Sequence, residues 1–107
     1  MKRLTIFNAL SELEKDSELY KVLFNHGTLE VGIFKPEIKD NQDPHPRDEI
    51  YIVTSGSGLF IKGNEKQPVE VGEVLFVPAG VEHRFIDFTD DFTTWVFFYG
   101  PEGGEAV

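Results

Sequence analysis

Histidine is scarce in this 107-residue chain, with three in all, and two of them stand where they could do chemistry. His45 lies four residues before Glu49, and His83 lies five residues after Pro78. Imidazole nitrogens and a carboxylate are donors that hold one divalent metal ion such as iron, manganese, nickel or zinc, and there is no cysteine to offer a thiolate, a disulfide or a thiol nucleophile. On the two-residue period of a strand, Glu49 shares a face with Tyr51 and Val53, and His83 with Phe85 and Asp87. Polar groups aimed into an interior beside aromatic and aliphatic ones are costly unless paired, and a divalent cation is a partner that satisfies all three at once. Taken singly, each is more commonly an ordinary hydrogen-bonded or solvated side chain. Their combination points to a metal. No other pair of residues shows acid–base spacing, so a catalytic base is left unassigned.

The elements that must position these residues are short strands. From Tyr20 onward, runs of five to eight residues rich in Val, Ile, Phe and Tyr alternate with Gly, Pro, Asn and Asp clusters. The pattern predicts strands near 20–25, 28–35, 49–55, 58–62, 67–71, 73–77, 83–88 and 92–99, joined mainly by hairpins. Before them, Asn8 to Lys15 is predicted as a short helix, with Ser11 and Glu14 at capping-box spacing. The polar stretch Pro36–Asp48, the one long connection, leads into the unusual residues, as functional loops often do. The tail Gly100–Glu105 has no apolar pattern and is expected to lie loosely on the surface. Strands with almost no helix must bury their faces against one another, as a sandwich or a barrel. The length suits a single domain over residues 1–107, with a barrel core about 20–99.

Composition limits the partners. Ten Lys plus Arg against 19 Asp plus Glu give a formal charge of −9, which repels nucleic-acid backbones and anionic membranes. The start of the chain, MKRLTIFNALSELEKD, lacks the uninterrupted apolar stretch of a signal peptide or membrane span, and the expected location is cytoplasmic.

Two stretches resemble a known family. Asp43-Pro-His-Pro-Arg-Asp-Glu-Ile-Tyr-Ile-Val-Thr-Ser-Gly-Ser-Gly58 is similar to the first cupin motif, with His45, Glu49 and Gly56 at its spacing. Gly72-Glu-Val-Leu-Phe-Val-Pro-Ala-Gly-Val-Glu-His83 is similar to the second, with Gly72, Pro78, Gly80 and His83 in place. The chain therefore resembles the small single-domain cupins of the cupin 2 barrel type, within the RmlC-like jelly-roll superfamily. The resemblance implies an all-β double-stranded β-helix, a jelly-roll barrel, with metal and a small-molecule substrate or ligand in its mouth, and a homodimer formed through edge strands. It implies His45, Glu49 and His83 as metal ligands. The histidine that cupins usually place two residues before the first of these is Asp43 here. Either Asp43 supplies an oxygen ligand, or it turns away and leaves a two-histidine, one-carboxylate site with open positions; Gln42 and His26 are weaker candidates for the vacancy. Tyr51, Phe85 and Trp95 are candidates to line the pocket, while Arg47 and Arg84 are expected in surface or salt-bridge roles.

Similar small cupins include dioxygenases, isomerases, cyclases and proteins with no known activity, so the fold does not fix the function. The expected function is a metal-dependent, dioxygenase-like enzyme acting on a small organic molecule, with an enol or phenol favoured because it coordinates as an oxyanion. The alternatives are a non-catalytic sensor or accessory module that binds a small ligand or metal, and a metal-free barrel whose site has decayed.

Overall fold

A computed structural model describes residues 3–40 and 43–107; Gln42 lies outside the described residues. The chain order is α1 (Ile6–Lys15), β1 (Tyr20–His26), β2 (Leu29–Phe34), β3 (Asp48–Ser55), β4 (Ser57–Lys62), β5 (Glu65–Glu70), β6 (Val74–Val77), β7 (His83–Ile86) and β8 (Thr93–Tyr99). All strand pairs are antiparallel and form a five-stranded sheet, β1-β2-β8-β3-β6, facing a three-stranded sheet, β5-β4-β7. This is the expected two-sheet jelly roll. Pro68 is tolerated in β5 because that strand is an edge.

The helix starts earlier than the Ser11–Glu14 spacing predicts. Thr5 is the N-cap and its hydroxyl accepts from the Asn8 amide at 3.1 Å, so Ser11 falls inside the helix. The helix, two residues longer at its start than the predicted Asn8–Lys15, places Ala9 and Leu13 together over Ile33 on β2, with Leu10, Leu23 and Trp95 around them. Between the sheets lies the main core: Phe34, Tyr51, Val53, Phe60, Val69, Val77, Phe85, Phe92, Val96 and Phe98. The five-stranded sheet is thus apolar on both faces, one against the other sheet and one partly under the helix.

Register sets which residues meet in the barrel. Glu30 on β2 pairs with Phe98 on β8, which pairs with Glu49 on β3, which pairs with Val77 on β6. The next inward row runs Gly32, Val96, Tyr51, Leu75. On β8 this phase turns Thr94, Val96 and Phe98 inward, and Trp95 outward into the cluster beneath α1. Trp95 therefore lies on the face opposite the expected pocket.

The tail is not loose. The Gly100 amide donates to Thr28 Oγ1 at 3.0 Å, Gly103 to the Pro46 carbonyl at 2.7 Å, and Glu105 to Asp48 Oδ2 at 2.9 Å. These bonds come from the main chain, which a search for apolar patterns does not see. No helix among the described residues is long and apolar enough to cross a membrane.

Candidate metal centre

Three segments converge at one end of the barrel. Glu49 enters from β3, His83 from the start of β7, and His45 from the loop before β3. One ligand atom from each lies within 4.8 Å of the others. Glu49 Oε1 stands 3.9 Å from His45 Nε2 and 2.9 Å from His83 Nε2. Glu49 and His83 are buried, at 1% and 4% exposed, whereas His45 is partly open.

The loop that carries His45 and the turn that leads into His83 are tied to each other. The Gly80 amide donates to the His45 carbonyl at 2.7 Å, and Asp48 Oδ1 accepts from the Ala79 amide at 2.9 Å. Gly80 has φ of +79°, a left-handed conformation that glycine adopts without strain, so the turn into β7 can close on the His45 loop. The ring of His45 packs edge-on against Phe98 with centroids 4.9 Å apart.

Hydrogen bonding orients His83. Its Nδ1 lies 3.0 Å from the Val81 carbonyl, which can only accept, so Nδ1 carries a proton and a neutral ring turns its lone pair at Nε2 toward Glu49 and the Tyr51 hydroxyl, 3.1 Å away. Metal-binding histidines characteristically donate their other ring nitrogen to a carbonyl in this way. Burial works against a charge on His83, but the Glu49 carboxylate and the Val81 carbonyl outweigh it and hold the imidazole above its ordinary value. Burial pushes His45 below its ordinary value, against a weaker pull from Glu49.

Glu49 Oε1 carries the strongest structural signal. It is buried and has no hydrogen-bond partner while the His83 ring is neutral, its nearest polar neighbour being His83 Nε2 at 2.9 Å, which can donate to it only when protonated. Buried carboxylate oxygens are rarely left so, because the loss of hydration goes uncompensated. A cation among Glu49, His45 and His83 would satisfy it, so the donor set fits a divalent metal.

An apolar cavity of about 310 Å³ adjoins the cluster, lined by Tyr20, Phe34, His45, Glu49, Val96 and Phe98. A larger cleft, about 780 Å³, opens beside α1 and is lined by residues such as Leu10, Glu14, Lys35 and Asp91, but holds none of the three candidate ligands. The smaller cavity is the one in contact with the chemistry. Tyr51 and Phe85 are not among its walls but fully buried and edge-to-face at 5.0 Å, and Tyr51 packs against His83. Trp95, turned outward, is replaced as a wall by its neighbours Val96 and Phe98.

Asp43 is exposed and stands outside the group of three, as does His26, exposed at the end of β1. Arg47 is in an ion pair, its Nη2 being 3.4 Å from Glu30 Oε1. Asp40 had no signal in the sequence, being one acid in a polar loop. Its side chain is buried, its Oδ2 accepts from the Phe85 amide at 2.8 Å, and its charge reaches both His45 and His83.

Comparison with known proteins agrees with this architecture. A family model described as the cupin domain matches residues 30–99. An uncharacterized protein of Streptomyces coelicolor is 32% identical over 104 residues, covering 95% of this chain and 99% of its own. A segment of acireductone dioxygenase from Drosophila pseudoobscura pseudoobscura is 39% identical over 46 residues, 38% of this chain and 25% of that enzyme. Among solved structures, a protein of unknown function from Rhizobium leguminosarum bv. viciae superposes with a TM-score of 0.70 at 21% identity, covering 92% of this chain and 96% of that one. With both motifs, the two-sheet barrel and a family match over most of its length, the chain belongs to the cupin family.

Proposed function

We propose that this cupin is a metal-dependent enzyme acting on a small organic molecule, with His45, Glu49 and His83 as the ligands of one divalent cation. The observation that carries the reading is the buried, unbonded Glu49 Oε1 between two imidazoles. A cation bound there would supply Lewis acidity or, if redox-active, activate dioxygen. The chain's own residues supply the rest. Val81 fixes the His83 tautomer, Phe34, Val96 and Phe98 exclude water from one side of the cluster, and the cavity of about 310 Å³ limits the substrate to a small molecule of one ring or similar size. An enol or phenol suits a pocket with apolar walls and a cationic end, and the similarity to a segment of acireductone dioxygenase supports an oxygenase. Asp43 is proposed only as an outer neighbour, since it is exposed.

The protein is further proposed to act as a cytoplasmic homodimer. β6 is an edge strand, and its Val74 and Phe76 are 65% and 44% exposed beside Ile52 and Ile50 of β3. An apolar sheet face at an open edge favours a second copy of itself.

One contact favours a second reading, a non-catalytic binding module. The Tyr51 hydroxyl already lies 3.1 Å from His83 Nε2, the atom a metal would use. Elemental analysis of protein purified without a histidine tag, compared with His83→Ala, tests the first reading. Near-stoichiometric metal that the variant loses is the expected result. Protein that stays metal-free after incubation with each divalent ion would overturn it, and a bound metal without turnover of any enol or phenol would favour the module.

A further inference from the structure

The inner face of the barrel carries a second carboxylate in the same register row as Glu49. Glu30 and Glu49 flank Phe98 on either side, two strand spacings apart, a backbone separation of about 10 Å. Glu30 Oε2 accepts from the Tyr20 hydroxyl at 3.2 Å, and Glu30 Oε1 meets Arg47 Nη2 at 3.4 Å. Arg47 in turn donates from Nη1 to the Thr28 carbonyl at 2.6 Å and lies over the Phe98 ring, 5.7 Å from its centre. The ring of Tyr20 rests on Gly32. A Cβ at residue 32 would stand 2.7 and 2.9 Å from ring atoms Cε1 and Cζ, so the phenol holds this place only because residue 32 has no side chain.

Among the described residues, Tyr20 is the one polar side chain on the cavity wall besides His45 and Glu49. Its proton is committed to Glu30, which can only accept while ionised, so the phenol oxygen is left to accept from a bound molecule. Burial and the Glu30 charge hold the phenol above its ordinary value, which keeps that proton in place. Arg47 is already paired with Glu30, so this corner offers an anion no net charge. It offers a neutral hydroxyl an acceptor.

We infer that Tyr20 is the specificity-determining residue of the pocket, accepting a hydrogen bond from a second hydroxyl of a substrate whose first oxygen faces His45, Glu49 and His83. The substrate class is then a small aromatic or enolic diol with separated hydroxyls. The inference rests on the enzyme reading above. It is tested by isothermal titration of the Co²⁺-loaded full chain and its Tyr20→Phe variant with phenol, resorcinol and hydroquinone. At least one benzenediol should bind wild type about tenfold tighter than phenol, the size of one buried hydrogen bond. Tyr20→Phe should erase that ratio by weakening the diols rather than by tightening phenol, in a variant that still unfolds cooperatively. Equal affinities for phenol and both diols, no binding of any probe, or a ratio that survives Tyr20→Phe would overturn the assignment. Repeating the titrations after chelation separates the two claims: a ratio that persists without metal while phenol affinity is unchanged refutes the metal reading and supports Tyr20.

Discussion

Replacing Glu49 with methionine should stabilise the metal-free protein, although it removes a residue at the centre of the site. Glu49 is 1% exposed and its Oε1 has no hydrogen bond. A buried polar group left without a partner costs about 1 to 3 kcal/mol, more if charged. Methionine has nearly the same length and no polar atom to desolvate. His83 is not orphaned by the change, because Val81 accepts from Nδ1 and the Tyr51 hydroxyl can donate to Nε2. The comparison belongs at a pH above the raised folded value of His83, where the ring is neutral. His83 has a raised value in the folded protein, so its attraction to Glu49 adds stability below the ordinary histidine value of 6.5 and loses it as pH rises through the folded one. With His83 neutral, the Glu49→Met gain should be about 1 to 3 kcal/mol, which for a domain of this size is roughly 4 to 12 °C in Tm. The assay is thermal unfolding by circular dichroism, with chelator and with added Zn²⁺. Added metal at a thousandfold over Kd should raise wild type by about 4 kcal/mol and leave the variant unmoved. A variant less stable than wild type in chelator would refute the reasoning, because it would mean that Glu49 is satisfied without a cation.

Three other perturbations test the frame around the site. Asp48 is held below its ordinary value of 3.8 by hydrogen bonds from the Glu105 and Ala79 amides, so its contribution to stability is full above that value and is lost as pH falls through the lower folded one; the urea midpoints of wild type and Asp48→Asn should converge below pH 3.8, and a gap independent of pH would count against the ion as the source. Gly32→Ala places a Cβ 2.7 Å from the Lys21 carbonyl oxygen as well as against Tyr20, and should cost about 1 to 3 kcal/mol in chemical unfolding. Phe76→Arg puts a charge on the exposed apolar edge, and light scattering after size exclusion should report a dimer for wild type and a monomer for the variant.

The barrel was legible because strand runs and turn residues are local signals, and the meeting of His45, Glu49 and His83 was legible because two motifs fix their spacing. What failed was phase and long-range pairing. Within β8 the run Trp95–Tyr99 has no polar alternation, since one face of the strand meets the barrel core and part of the other meets α1. A two-residue period cannot say which set points inward; pairing with Glu49 on β3 decides it, and that sends Trp95 outward and Phe98 inward. Thr5 and Ser11 are both competent caps, and the burial of Ala9 against Ile33 selects the earlier one. Asp40 carried no local mark, because its partner is a strand amide forty-five residues along the chain.

The same long-range bonds bear on what a metal would have to do. The backbone of His45 is held by the Gly80 amide, its neighbour Pro46 by the Gly103 amide, and Asp48 joins the Ala79 and Glu105 amides on its two oxygens. The loop before β3, the turn before β7 and the tail are thus fastened to one another by main-chain donors. Below the cluster, Tyr51 and Phe60 pack against His83 and Phe85 packs against both of them, with ring centroids 5.0 to 6.4 Å apart. Apart from the Tyr51 hydroxyl at His83 Nε2, neither support uses the candidate ligand atoms. In domains that fold only with their metal, binding energy is spent on ordering the chain. Here the ordering is already supplied by hydrogen bonds and packing, so most of the affinity for a cation can come from relieving the buried Glu49 oxygen, and the exposed edge of His45 is left as the side from which a ligand reaches the site.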